Sequence, residues 1–584
     1  VAAQATFTSA DKLTDSGHRR LIRADETEET LMATLLVITV LLPLVGSFVL
    51  FLSPHLDYKA ARAVALGTVA TSLALSAVLV LSFRSGVTTP QFAFVSESGA
   101  YGLSWMDPPG IRFALGLDGV SIWLFGLTSL LMITAVCSSW ESITDRAPMH
   151  YAFLLALQTG LLGLFSSLDV VLFYIFFEFT LIPLFFIIGI WGGSERRRAS
   201  VTFFLYTLAG SLLTLLGVIA LVVIHYQYSQ PRVLTFSIPE LTNGLAALSW
   251  PEWSRMSPWS SSPQVLVFLL LFAGFAIKVP MFPFHTWLPL AHVEAPAAGS
   301  ILLAGVLLKV GSYGLLRFNL GMTPLGAKVL FPVLAALAVT GVIYGALAAL
   351  AQTDVKRLVA YSSVSHMGFI VLGLFSMTAT GIDGATIQMI NHGLTTGALF
   401  ACVGVIYERY HTREMSDIGG LWNRMPLLAF FLILASLGSA AVPGLNGFVG
   451  EFPILTGAFF RDRLTAVLAT LGMILGAYYL LWMLQRVIFG PLREPRGATH
   501  VGSAGEHGHG TESVVRPIAW HEILGLAPLM ALIVLIGVYP APIFGTIRTA
   551  VAPISMRYEK LDATEAETLL REGTASLESP APAL

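Results

Sequence analysis

Charge is scarce in this chain: Asp, Glu, Lys and Arg supply 12% of 584 residues, about half the share of an ordinary soluble domain. Because 55% of the residues are hydrophobic, a water-soluble globule could not hide them all, and lipid must solvate much of the surface. The net charge of -2 offers no basic field to a nucleic acid. Cysteine is nearly missing. Cys137 and Cys402 both lie in apolar runs, with no Cys-x-x-Cys pair for zinc or iron–sulfur, and no disulfide between them is expected. There is neither a Gly-x-Gly-x-x-Gly turn nor a P-loop, so no metal, nucleotide or redox cofactor is expected in the chain itself. His500, His507 and His509 stand in a Gly-rich stretch that reads as solvated loop.

Long apolar runs are what the sequence has. A spanning helix needs about 20 mostly apolar residues, and fourteen such spans are predicted near 31–52, 61–83, 116–138, 149–166, 169–190, 200–226, 264–284, 297–318, 328–351, 358–377, 384–407, 427–445, 465–489 and 520–546. The runs are too long, and lack the alternation, for a membrane barrel. The fold class is therefore all-α membrane protein. Residues 1–30 are polar and lack the apolar centre of a signal peptide; a translation start at Met32 is favoured over a true extension. The predicted organisation is 31–148 for the first three spans, 149–319 and 327–490 for two five-helix repeats, 491–519 for a polar cytoplasmic loop, 520–547 for the last span and 548–584 for a polar tail. Loops after odd-numbered spans hold fifteen Lys and Arg and those after even-numbered spans eight. That bias puts the odd loops in the cytoplasm and both termini outside.

Two spans contain prolines at matching places. The seventh runs into Val279-Pro280-Met281-Phe282-Pro283 and the twelfth into Val442-Pro443-Gly444. Proline frees a backbone carbonyl, which is tolerable in a membrane only against protein or water. Breaks five spans apart fit two inverted repeats, spans 4–8 and 9–13, and mark an ion path; a packing kink is the bland explanation.

Four ionisable residues fall inside apolar runs: Glu178, Lys278, Lys309 and Glu451. Each costs about 3 kcal/mol at the bilayer centre on insertion scales. A structural ion pair would account for one Glu and one Lys, but not for four groups of which two adjoin helix breaks. A buried lysine holds its proton more firmly beside a carboxylate than alone. Separating Glu178 from Lys278 therefore makes the lysine a donor, and reuniting them makes it an acceptor. His285, His292, His366 and His392 are candidate relays between these charges, since histidine titrates near neutrality; the plain alternative for each is a helix contact. Lys356-Arg357 and Arg196-Arg197-Arg198 read as cytoplasmic anchors.

The segments Phe284-His285-Thr286-Trp287-Leu288-Pro289-Leu290-Ala291-His292-Val293-Glu294-Ala295-Pro296 and Leu302-Leu303-Ala304-Gly305-Val306-Leu307-Leu308-Lys309-Val310-Gly311 closely resemble the signature of antiporter-like subunits of respiratory complex I. So do Leu115-Gly116-Leu117-Asp118-Gly119-Val120-Ser121 and Asp354-Val355-Lys356-Arg357-Leu358-Val359-Ala360-Tyr361-Ser362-Ser363-Val364-Ser365-His366-Met367-Gly368. The likeness runs from about Met32 to the last span. Glu451 stands where the M-type branch, the counterpart of mitochondrial chain 4, has glutamate and the other branches lysine. Only a short polar tail is expected after Ile547, where the L-type branch has a long amphipathic helix. The resemblance implies proton translocation along a hydrated line of Glu178, Lys278, Lys309 and Glu451. It also implies that NADH, FMN, iron–sulfur clusters and quinone belong to partner subunits, that neighbouring antiporter-like chains are among the partners, and that the bacterial inner membrane is the location. The N-terminal thirty residues and the loops at about 227–263 and 491–519 depart from the family pattern. A subunit of a multi-chain sodium/proton antiporter is the nearest rival; the membrane arm of an energy-converting hydrogenase and a transport-free scaffold are further ones.

Overall fold

A computed structural model gives the fold for residues 28–97, 99–247, 263–495, 500–501 and 514–577. Most of the polar segment 1–30, and His507 and His509, lie outside the described residues, as does the side chain of His500. Among the described residues, twelve helices are long and apolar enough to cross a membrane: Glu28–Leu52, Tyr58–Ser82, Ser121–Ser138, Ala147–Ser166, Val170–Trp191, Arg196–Tyr228, Ala297–Leu320, Pro324–Leu350, Val355–Phe375, Ala379–Tyr410, Arg463–Val487 and Trp520–Val538. These are spans 1–6, 8–11, 13 and 14. Spans 7 and 12 begin as the shorter apolar helices Pro263–Lys278 and Pro426–Ser439, each stopping at a break. The fourteen expected spans are all present.

Spans 8, 10 and 11 are enclosed almost wholly by protein, while spans 2 and 13 turn most of their surface outward. That layering decides where polar groups can go. Span 11 carries Gln388, Asn391, His392, Thr395 and Thr396 buried, whereas outward positions such as Leu81 and Phe460 are large and apolar. A polar face inside a membrane bundle must meet protein partners or water.

Both breaks follow from proline chemistry. Pro280 has no N–H for Ala276, so the Ala276 carbonyl accepts from Met281 instead (2.9 Å). The Ile277 carbonyl, left over, accepts from the Trp287 indole (3.0 Å). The chain then resumes as a short helix, Trp287–Glu294. In span 12 the Val442 N–H reaches back to Leu437 (3.2 Å), Pro443 ends the ladder, and Gly444 at φ +91° makes the turn. The second half is Asn446–Arg461. Reciprocal bonds bridge this break to span 11: Asn391 Nδ2 donates to the Asn446 carbonyl (2.7 Å), and Asn446 Nδ2 to that of Asn391 (3.3 Å).

Three features differ from the sequence expectation. Span 8 is π-helical over Leu303–Leu307 and Leu315–Leu320, on either side of Lys309; wide turns of this kind recur at functional sites. The last span ends at Val538, ahead of Pro540. A separate helix, Ala541–Leu577, then replaces the first part of the expected polar tail. Ile547, Val551, Ile554 and Tyr558 form its buried stripe. It crosses the face that bears the loops after even-numbered spans: Arg548 meets Asp383 at 3.0 Å, and Asp562 takes both Lys328 (2.8 Å) and Arg461 (2.9 Å). A two-stranded hairpin, β1 (Leu103–Met106) with β2 (Ile111–Phe113), lies on that face too. The third difference concerns charge. Lys and Arg were expected inside spans only at 278 and 309, yet Arg317 lies within span 8, and Lys356 and Arg409, at the ends of their span helices, are buried. Lys356 is no surface anchor: it is buried, and its ammonium donates to the Val293 and Ala295 carbonyls. Arg409 is matched by Glu522 of span 14 with two bonds of 2.8 and 2.7 Å. Arg196, Arg197 and Arg198 are exposed, as anchors should be.

Candidate functional site

The second half of the buried line is hydrogen-bonded at its two ends, with a step from ring to ring between them. The wide turn at Leu303–Leu307 leaves the Ala304 carbonyl facing the Lys309 ammonium, which donates to it. On its other side Lys309 Nζ lies 2.7 Å from His392 Nδ1. The His392 ring is 5.6 Å, centre to centre, from His366 of span 10. His366 Nδ1 lies 2.8 Å from Glu451 Oε1 in the second half of span 12. Gln388 Nε2 donates to the same carboxylate oxygen (3.1 Å), and Ser439 Oγ and Tyr479 OH lie 3.1 and 3.4 Å from His366 Nε2. Lys309, His366, His392 and Glu451 are all buried.

Glycine lets the helices come this close. A Cβ on Gly393, next to His392, would meet the Gly305 carbonyl at 2.7 Å, and one on Gly311, two residues past Lys309, would meet Val279 N at 2.8 Å. Neither distance is tolerable. So spans 8 and 11, and spans 7 and 8, touch backbone to backbone beside the lysines, as small residues permit in membranes.

The first half is looser. Lys278 ends the first part of span 7, buried, with Nζ 4.6 Å from the centre of the Phe177 ring. Among the described residues neither Lys278 Nζ nor Glu178 Oε1 has a hydrogen-bond partner, although the two groups lie within each other's Coulomb field. Glu178 sits one turn ahead of Pro183, where span 5 loosens at Thr180. The structure thus holds the two as neighbours but not as a contact ion pair.

The four histidines divide. His366 and His392 are hydrogen-bonded into the line. His285 stands among Phe282, Tyr344 and Tyr361, with ring centres 5.7, 4.9 and 6.5 Å away. His292 is stacked on Phe400 at 4.5 Å. Sequence reasoning passed over Gln388, Ser439 and Tyr479. Gln388, Asn391 and His392 carried a signal, being polar at helical spacing on one face of an apolar run. Unpaired buried atoms continue along the site: His392 Nε2, Gln388 Oε1, Asn391 Oδ1, Asn446 Oδ1 and Thr396 Oγ1 find no protein partner among the described residues. Buried polar atoms in that state are where water belongs. Cys137 and Cys402 are both free.

Residues 167–476 match the family described as NADH:quinone oxidoreductase/Mrp antiporter, transmembrane. The chain is 40% identical over 532 residues to NADH-quinone oxidoreductase subunit M of Rhodobacter capsulatus, covering 90% of this chain and 97% of the relative. It is 39% identical to NADH-ubiquinone oxidoreductase chain 4 of Chondrus crispus, over 86% of this chain and 94% of that one. Among solved structures, a chain of respiratory complex I from Thermus thermophilus with bound NADH superposes with a TM-score of 0.73 at 32% identity, over 89% of this chain and 99% of that chain. By sequence and by fold the chain belongs to the NADH:quinone oxidoreductase/Mrp antiporter membrane family, in the branch of subunit M and chain 4.

Proposed function

We propose that the chain is a proton-translocating membrane subunit of NADH:quinone oxidoreductase, driven by electron transfer in its partner subunits. The observation that carries this is the run Lys309–His392–His366–Glu451, whose direct contacts measure 2.7 Å and 2.8 Å at its two ends. A protonated Lys309 passes its proton to His392 Nδ1. A ring that accepts at one nitrogen releases from the other, so His392 and His366 hand the charge on without moving far. Glu451 receives it, oriented by Gln388 and His366. In the first half, Lys278 gives up its proton when Glu178 is apart and takes one when Glu178 approaches. NADH, FMN, iron–sulfur clusters and quinone belong to the partner subunits, among them neighbouring antiporter-like chains. The chain sits in the bacterial inner membrane, with the loops after odd-numbered spans in the cytoplasm and both termini outside.

The test uses the assembled enzyme in inverted vesicles. Lys309→Ala and Glu451→Gln are expected to assemble and to keep NADH oxidation by a water-soluble acceptor, yet to lose NADH-driven acidification. Parental acidification by both assembled variants overturns the reading. Acidification that requires sodium would favour the antiporter alternative.

A further inference from the structure

A cavity of about 440 Å³ opens on the face that bears the loops after odd-numbered spans. Its lining includes Glu294, Lys356, Glu408 and Arg413, and on its inner side Phe400. This polar basin belongs to none of the contacts that join Lys309 to Glu451. What lies behind Phe400 gives it a meaning. The His292 ring stacks flat on that of Phe400, with centres 4.5 Å apart and planes 6° apart. His292 is fully buried, and among the described residues neither of its ring nitrogens has a hydrogen-bond partner. An imidazole left so is costly to bury, and a transient partner, water or a proton, would relieve that cost. His292 also lies within the Coulomb fields of both Lys309 and Lys356. Its ring lies directly behind Phe400, a residue of the basin wall.

The helix that carries His292 is held from the basin side. Trp287–Glu294 is only two turns long, and Val293, Glu294 and Ala295 at its end line the cavity. Lys356 donates to Val293 (3.4 Å) and to Ala295, and Arg413 donates to Val293 (2.6 Å). Cations at a helix C-terminus satisfy its orphan carbonyls and its dipole together. Glu294 Oε2 in turn accepts from the Glu195 N–H (2.8 Å). A small tilt of this helix would slide His292 from under Phe400, while the basin residues keep their grip on its end.

We propose that this cavity is a hydrated proton vestibule, and that Phe400 is a hydrophobic gate between it and the buried line. With the ring stacked, water in the basin stops at Phe400. With the stack parted, a hydronium in the basin gives its proton to the bare ring nitrogen of His292 and is left as water, and the other nitrogen releases its proton to neutral Lys309. One proton and one positive charge pass from the basin to Lys309, and His292 ends neutral as the other tautomer, which a half-turn of the ring resets while the stack is parted. Lys356 and Arg413 are positioning residues, acting through the helix they hold. The proposal rests on the proton-pumping reading above, and the experiment separates the two.

In inverted vesicles holding the assembled enzyme, acidification per NADH oxidised is measured for Phe400→Ala, Phe400→Leu, Val403→Trp and Lys309→Ala. Phe400→Ala leaves the vestibule joined to the line at all times, so acidification per NADH falls while NADH oxidation continues. Phe400→Leu restores an apolar plug and regains acidification, which a merely structural role of the ring would not require. Val403 lines the same cavity, and Val403→Trp fills it without removing the gate, so acidification and quinone reduction slow together. If Lys309→Ala loses acidification but Phe400→Ala and Val403→Trp match the parent, the gate is refuted and the pumping reading stands. If Lys309→Ala also matches the parent, the pumping reading fails with it. Should Phe400→Ala not assemble, Val403→Trp alone decides, since parental acidification there overturns the vestibule.

Discussion

His366 Nδ1 and Glu451 Oε1 are 2.8 Å apart, joining span 10 to the far half of a broken span 12 inside a site that solvent barely reaches. A hydrogen bond with one partner ionised is roughly twice as strong as a neutral one. It also fixes the far nitrogen of the ring toward Ser439 and Tyr479.

Removing that ring should interrupt the line without dismantling the bundle. His366→Leu is expected to assemble, with a loss of about 1–3 kcal/mol from the carboxylate left short of a partner. NADH-driven acidification should drop sharply, and His366→Gln, which still donates to Glu451, should drop less, because it holds the carboxylate but carries no proton. Acidification equal for Leu, Gln and the parent would remove His366 from the path.

Gly393 offers a steric test of the same line. A Cβ there would press on the Gly305 carbonyl at 2.7 Å, so Gly393→Ala must push span 8 away from span 11 by some tenths of an ångström. The Lys309–His392 contact of 2.7 Å spans the same interface. Overpacking of this kind costs about 1–3 kcal/mol. The expected result is a lower melting temperature together with weakened acidification, whereas Gly67→Ala, where nothing lies within reach of a Cβ, should change neither.

Fourteen apolar runs, both breaks and the four mid-membrane charges were legible in the sequence because each is a local signal: a window of hydropathy, a proline in it, a charge in it. What was not legible needs a partner far along the chain. Arg409 looked like a loop cation because its run ends there; only Glu522, 113 residues away, makes it a buried one. Lys356 looked like an anchor until the Val293 and Ala295 carbonyls, freed at a helix end, came against it. The helix after Pro540 is a different case. Ile547, Val551, Ile554 and Tyr558 already had helical spacing, but the charges between them made the stretch read as a tail. The π-helical turns around Lys309 left no sequence mark that hydropathy can see.

Arg409 and Glu522 make a doubly hydrogen-bonded pair with side chains 5% and 3% exposed. Removing one partner strands a buried charge, and Glu522→Leu should lower stability by about 3–5 kcal/mol. The pair itself is replaceable. Arg409→Met with Glu522→Leu should recover most of the loss, because two apolar groups need no desolvation. Heating the assembled enzyme and following retention of the subunit tests this. A double variant no better than the single one would show that Arg409 matters through its bonds to the Arg516 and Pro517 carbonyls (both 2.9 Å) more than through its charge.

Lys278 supplies the last test, because the structure shows what holds its ammonium when Glu178 does not. Nζ lies 4.6 Å from the centre of the Phe177 ring, within the range where a cation is drawn to an aromatic face. In a desolvated site that attraction reaches about 2 kcal/mol, enough to favour the separated arrangement by more than tenfold over a pocket of equal size without a ring. Phe177→Leu keeps the apolar wall and removes the quadrupole. The switch should then rest with Lys278 against Glu178, holding its proton too firmly to release it. Acidification is expected to slow with assembly intact, while Phe177→Tyr, which keeps the ring face, stays close to the parent. Glu178→Ala in the Phe177→Leu background gives the deciding measurement. With the carboxylate gone there is no pair to favour, so the second substitution must lose pumping outright, and any acidification above that of the Phe177→Leu single variant would mean that Glu178 and Lys278 do not form the switch.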